Sequence, residues 1–82
     1  MSQTTRTLKQ LGAALRRHRK LSGLTQADLS DRVNKRQATI SNLESAESGT
    51  LETLFAVLSA LDLELVVQPR TKSDVRKLGD IF

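Results

Sequence analysis

Residues 23–44, GLTQADLSDRVNKRQATISNLE, contain two short helical patterns separated by VNKR at positions 33–36. Gly23 stops whatever helix precedes it, and Leu24 enters the core. Thr25 can accept free amides as the N-cap of a new helix. Asp28, three residues on, can complete a capping box and favour the positive helix end. That helix should end near Arg32 or Val33. In the connection, Asn34 is the residue best suited to a left-handed backbone. The next helix is expected from about Gln37 to Glu44.

The pattern extends outward on both sides. Leu8, Leu11, Leu15 and His18 recur at helical spacing, while Arg16, Arg17 and Lys20 point elsewhere, so residues 7–22 read as an amphipathic helix. His18 is expected to be a half-buried helix residue. After the second short helix, SAESG (45–49) is a loop. Thr50 then caps a helix over 51–61, in which Leu51, Leu54, Phe55, Val57, Leu58 and Leu61 share an arc of about 160°. Phe55 and Leu58 read first as core, although their helix could also supply a dimer seam. Residues 63–68, LELVVQ, are β-branched and nearly alternating until Pro69 forbids further ladder donation. This is the single strand candidate of an otherwise all-α chain. It should pair with its copy in a second subunit, through Leu63, Leu65, Val66 and Val67, or with a foreign strand. The other reading is a terminal segment lying on the core. The chain divides into a domain over 1–68 and a flexible charged tail over 69–82, with one helical turn at most around 75–78.

Composition excludes much. A chain of 82 residues buries only about 60% of its unfolded surface, so help from a second subunit is expected. The absence of cysteine removes disulfides, Cys-bearing zinc sites and thiol nucleophiles, and the one histidine, His18, leaves no basis for a metal site. No catalytic residue, metal or cofactor is expected. No apolar run approaches a membrane span and the first residues lack a signal-peptide core, so a cytoplasmic, nucleoid-associated protein is expected. Charge is segregated: residues 1–36 hold nine bases against two acids, whereas residues 37–69 hold five acids and no Lys or Arg. A basic face for a polyanion and simple solvation of the first helix both fit this partition.

With Gln37 set at 0°, Ser41 lies at about 40°, Ala38 at about 100° and Asn42 at about 140°, whereas Thr39, Leu43 and Ile40 lie between about 200° and 300°. Ile40 and Leu43 anchor the helix. The other side offers amides, a methyl and a hydroxyl with little bulk between them. These are the groups that read a DNA major groove: Gln can bond adenine N6 and N7, Ser can bond either partner, and Ala can touch the thymine methyl. Two short helices joined this way form a helix-turn-helix, whose second helix recognises bases while the first crosses the backbone.

Here GLTQADLSDRVNKRQATISNLE, followed by TLETLFAVLSALDLEL, resembles the Xre/Cro-type helix-turn-helix family over about residues 8–65. Leu24, Gln26, Ala27, Leu29, Val33, Ile40, Ser41, Glu44, Leu51, Leu54 and Leu61 carry the match. Within it, QATISNLE, the LELVV segment and the short tail are most similar to the HipB-type antitoxins that partner HipA-type kinase toxins. The resemblance implies a four- to five-helix, lambda-repressor-like domain in which Gln26 bonds a phosphate. Arg36, Gln37, Ala38 and Ser41 would meet base edges or flanking phosphates, with Thr39 and Asn42 bordering the backbone. It further implies an ion pair between Arg19 and Glu44. Asn34 and Lys35 depart from the usual Gly and aliphatic residue of the turn, and His18 from a core aliphatic.

The expected function is that of a homodimeric, sequence-specific repressor of a palindromic operator, acting as the antitoxin of a HipA-like kinase toxin. A stand-alone repressor with no toxin partner, and a protein-interaction adaptor, are the alternatives. An RNA-binding role has no aromatic platform to support it.

Overall fold

The structure, a computed structural model, describes residues 3–70. Four helices follow one another: α1 Leu8–Leu21, α2 Gln26–Val33, α3 Gln37–Glu44 and α4 Leu51–Ala60. α3 packs against both α1 and α2, and α4 against α2. Their apolar faces meet in one core of Leu15, Leu29, Ile40, Leu54, Val57, Leu58 and Leu61, with Leu11, Leu24, Val33, Leu43 and Leu63 at its margin.

Local chemistry sets the helix starts. Thr7 accepts from the Gln10 amide, Thr25 from Asp28 and Thr50 from Thr53, each through its side-chain oxygen. In α2 the Asp28 carboxylate also accepts from the Thr25 amide at 2.9 Å, completing the expected capping box.

All four helices stop in the same way. Gly23, Asn34, Ala46 and Asp62 each have a left-handed backbone, with φ of 74°, 56°, 64° and 58°. In each case the next amide reaches back five residues: Leu24 to the Arg19 carbonyl, Lys35 to Ser30, Glu47 to Asn42 and Leu63 to Leu58. These paired closures are Schellman motifs, and they satisfy two carbonyls near the end of each of these helices. The expected left-handed turn at Asn34 is present. The departure at Lys35 is accommodated because its ammonium meets Glu52 at 3.1 Å, tying the turn to the first turn of α4.

The expected strand is one that only a second chain can complete, and the expected core arc of α4 is corrected. Residues 63–68 form no strand within the described chain. Leu63 is occupied in closing α4, and a single chain offers no second strand to complete a ladder. The core arc of α4 is also narrower than 160°. Leu54, Val57, Leu58 and Leu61 are buried, but Leu51 and Phe55, at one edge of the arc, stay exposed. The helices packed in this small domain cover only part of α4; Phe55 shares an open groove with Leu65, and Val66 and Val67 beyond it are exposed. The expected turn at 75–78 lies outside the described residues.

Gly12 marks the tightest crossing. A Cβ there would strike the Glu44 carbonyl oxygen and come within 2.9 Å of the Leu43 carbonyl oxygen, which are rigid backbone atoms. Gly12→Ala should therefore cost about 3 kcal/mol by forcing α1 from α3. Ala46→Gly, which relieves a left-handed alanine, should instead add about 1 kcal/mol. Thermal denaturation of the two variants checks both signs.

The hydrogen bonds from Thr25 hold the Asp28 carboxyl below its usual value of 3.8. The unfolded chain consequently takes up this proton first as pH falls. The stabilisation is complete above that value and is lost as pH falls beneath it. Asp28→Asn should lower stability at neutral pH and flatten the acid limb of a denaturation series below about pH 4.

Candidate nucleic-acid interface

The short helix α3 carries two kinds of side chain. Ile40 and Glu44 are buried, Thr39, Asn42 and Leu43 are half-buried, and Gln37, Ala38 and Ser41 are exposed together with Arg36 just before the helix. The expected face is thus present as one continuous surface of small polar groups. No long charged side chain of α3 rises above it. The first turn contains no acid, and no side chain caps it, so the positive helix end faces outward.

What fixes this face is a buried network under the far end of α3. Arg19 on α1 is 6% exposed and Glu44 is 8% exposed. Arg19 Nε donates to Glu44 Oε2 at 2.7 Å and Nη2 donates to Oε1 at 3.1 Å, a bidentate arrangement. Arg19 Nη1 also donates to the Leu24 carbonyl at 2.9 Å, tying in the α1–α2 connection. The pair implied by the resemblance is therefore present, with a further member. Gln26 Nε2 donates to Glu44 Oε1 at 3.1 Å, so the first residue of α2 is bound to the last residue of α3. Gln26, implied by the resemblance to be a phosphate ligand, is half-buried and has this structural bond as well; its amide nitrogen retains a second hydrogen for an outside acceptor.

Sequence reasoning left out Gly12 and the bond from Gln26 to Glu44. The signal for Gly12 was a glycine one turn before Leu15 inside a strong helical pattern, where glycine is costly unless a neighbouring backbone needs the room. His18 is half-buried, as expected. Among the described residues, no group of three or more His, Asp or Glu could hold a metal ion, and no helix is long and apolar enough to cross a membrane.

Removing one partner of the network strands a buried charge. Glu44→Leu or Arg19→Met alone should cost about 3–5 kcal/mol. The double variant Arg19→Met/Glu44→Leu should lose clearly less than the sum, and a denaturant double-mutant cycle measures the difference.

Comparison with known proteins places this geometry. A family model described as helix-turn-helix matches residues 15–68. Antitoxin HipB of Escherichia coli strain K12 is 37% identical over 59 residues, which cover 71% of this chain and 67% of that protein. A solved structure described as "HipB-O4 20mer complex" superposes with a TM-score of 0.78 at 32% identity, covering 85% of this chain and 100% of the other. Another, "Structure of HipA-HipB-O2-O3 complex", gives the same TM-score of 0.78 at 32% identity, with coverage of 85% and 100%. The chain thus belongs to the helix-turn-helix family and, within it, to the family of the HipB antitoxin.

Proposed function

We propose that this chain is a sequence-specific DNA-binding autorepressor and the antitoxin of a type II toxin–antitoxin system, restraining a HipA-like kinase toxin. The observation that carries the reading is the exposed Gln37–Ala38–Ser41 face on a helix locked from behind by Arg19 and Glu44. The relatives' own names support it, since one solved HipB structure is a complex with a 20mer and another includes HipA.

In this reading α3 enters the major groove. Gln37 bonds adenine N6 and N7 in a bidentate way, Ala38 lies against a thymine methyl, and Ser41 bonds a neighbouring base. Arg36, Thr39 and Asn42 border the phosphates. The free hydrogen of the Gln26 amide reaches another, which couples the backbone contact to the orientation of α3. Two copies join through Leu63, Leu65, Val66 and Val67, beside the uncovered Leu51 and Phe55, and so read a palindrome with half-sites about 10 bp apart. Residues 1–68 form the DNA-binding and dimerisation unit, to which residues 69–82 add a charged tail, and the protein works in the cytoplasm with the nucleoid. No catalytic step or cofactor enters.

The test is a binding titration with a duplex enriched from a random pool by the wild-type chain. Gln37→Ala should lose about 1–3 kcal/mol, confined to substitutions at one or two base pairs, and Ser41→Ala should relax a neighbouring position. Unchanged discrimination in both variants would remove this face from the readout. A co-expressed HipA-like kinase from the neighbouring gene should co-purify with the chain; its failure to do so counts against the antitoxin role and leaves the DNA reading intact.

A further inference from the structure

The readout just proposed leaves the outer face of α1 unused. Lys9, Ala13, Arg16, Arg17 and Lys20, with Leu21 at the end of α1, form one wall of an open groove of about 710 Å³, whose other wall is the C-terminal end of α3 at Glu44 and Ser45. At about 100° per residue the four cations fall within an arc of about 100°. They extend about 16 Å along the helix axis. All four are exposed, and none forms an ion pair with a described residue. Glu44, the one acid beside them, has both carboxylate oxygens engaged by Arg19 and Gln26.

Such a stripe has a cost within the helix. Arg16 and Lys20 are four residues apart and Arg17 and Lys20 three, so like charges are set side by side where an acid would have stabilised α1. Attraction to the C-terminal helix dipole explains Lys20 in the last turn, but it does not reach Lys9, Arg16 or Arg17.

The position of the stripe indicates its partner. Gln37, Ser41 and Ser45 follow each other at intervals of four residues, so they form a single ridge along α3. Ser45 ends that ridge and lies in the wall of the basic groove. Followed from the bases at Gln37, the ridge therefore leads out of the major groove and onto the cations of α1. What borders a major groove is a phosphate strand.

We infer that the outer face of α1 is a second DNA-contact surface, with Lys9, Arg16, Arg17 and Lys20 gripping backbone phosphates that flank the bases read by α3. The inference rests on the DNA-binding reading above. Its effect is to raise affinity without adding sequence information, because phosphate contacts position a protein but do not specify bases. It also accounts for the charge partition of the chain, in which the basic stretch over residues 1–36 contributes grip and the nearly uncharged face of α3 contributes choice.

The test uses the full-length chain, the duplex it enriches from a random pool, the same duplex trimmed to its half-sites, and a random-sequence duplex. The variant Lys9→Gln/Arg16→Gln/Arg17→Gln/Lys20→Gln should keep the wild-type melting temperature or exceed it. Its plot of log affinity against log salt should be shallower by about one for each phosphate no longer neutralised, and it should bind enriched and random duplexes roughly tenfold or more weakly at moderate salt. The ratio between the two duplexes should stay within about twofold of wild type. Trimming the flanks should weaken the wild-type chain and leave the variant unaffected. If the quadruple variant does not fold, Lys9→Gln/Arg16→Gln should show about half the change in slope.

An unchanged slope and unchanged affinity in a folded variant overturn the inference and leave the stripe to solvent or to an acidic protein. Failure of the wild-type chain to enrich any duplex overturns the DNA-binding reading itself, and this one with it.

Discussion

Burying the Glu44 carboxylate obliges the chain to bring donors to it, and the donors come from two other helices. An isolated charge withdrawn from water costs several kcal/mol, which the Arg19 fork, the Gln26 amide and the surrounding packing must offset. The guanidinium suits this role because its planar donors meet both carboxylate oxygens and still leave Nη1 for the Leu24 carbonyl. A lysine would deliver the charge without the geometry. One carboxylate thereby sets α1, α2 and the connection between them relative to α3. The value of such a pair lies in fixing that relation more than in net stability, since a well-packed apolar substitute often stabilises as much.

That fixation matters because α3 cannot hold itself. Eight residues are too few for a stable isolated helix, and α3 begins without a side-chain cap. It persists because Ile40 is fully buried, because its backbone at Leu43 and Glu44 lies directly under Gly12, and because Glu44 is tied from two sides. Each of these holds is on the inner side. The outer side is left free of structural duty, which is what a surface that selects a ligand by its polar groups requires. The repeated Schellman closures serve the same end: with each helix ended by one left-handed residue, the connections stay short and the angle between α2 and α3 has little freedom.

Much of this was legible in the residues themselves. Thr25 and Asp28 announced the start of α2, Asn34 its end, and the apolar spacing gave all four helices to within a residue or two of their bounds. The exposed face of α3 followed from its angular positions alone. What escaped the sequence depended on through-space partners. Periodicity placed Leu51 and Phe55 with the core because it measures an arc, whereas burial depends on how many neighbours cover that arc. LELVVQ had the composition of a strand, yet a strand is a property of a pair, and the described chain holds one member. Ala46 closes α3 in a conformation that alanine does not advertise, because the loop geometry outweighs the local preference. Gln26 was assigned outward by resemblance; the inward half of its bonding became visible only once Glu44 was seen beneath it.

The acids are placed to the same end. Five acidic residues lie between positions 37 and 69, so a polyanion reader has its repulsive groups in the same stretch as its recognition helix. The structure separates them. Glu44 is buried beneath the helix, Glu52 meets Lys35 at the start of α4, and the first turn of α3 holds no acid at all. A Ser or Asp in place of Arg36 would cap α3 and stabilise it by about 1 kcal/mol. An acidic cap there would also set a negative charge where the proposed readout brings phosphate, and either cap would cover part of the positive helix end. Arg36 forgoes that stabilisation and leaves the helix end open, a choice that makes physical sense only if the free energy is recovered from a negatively charged partner outside the fold.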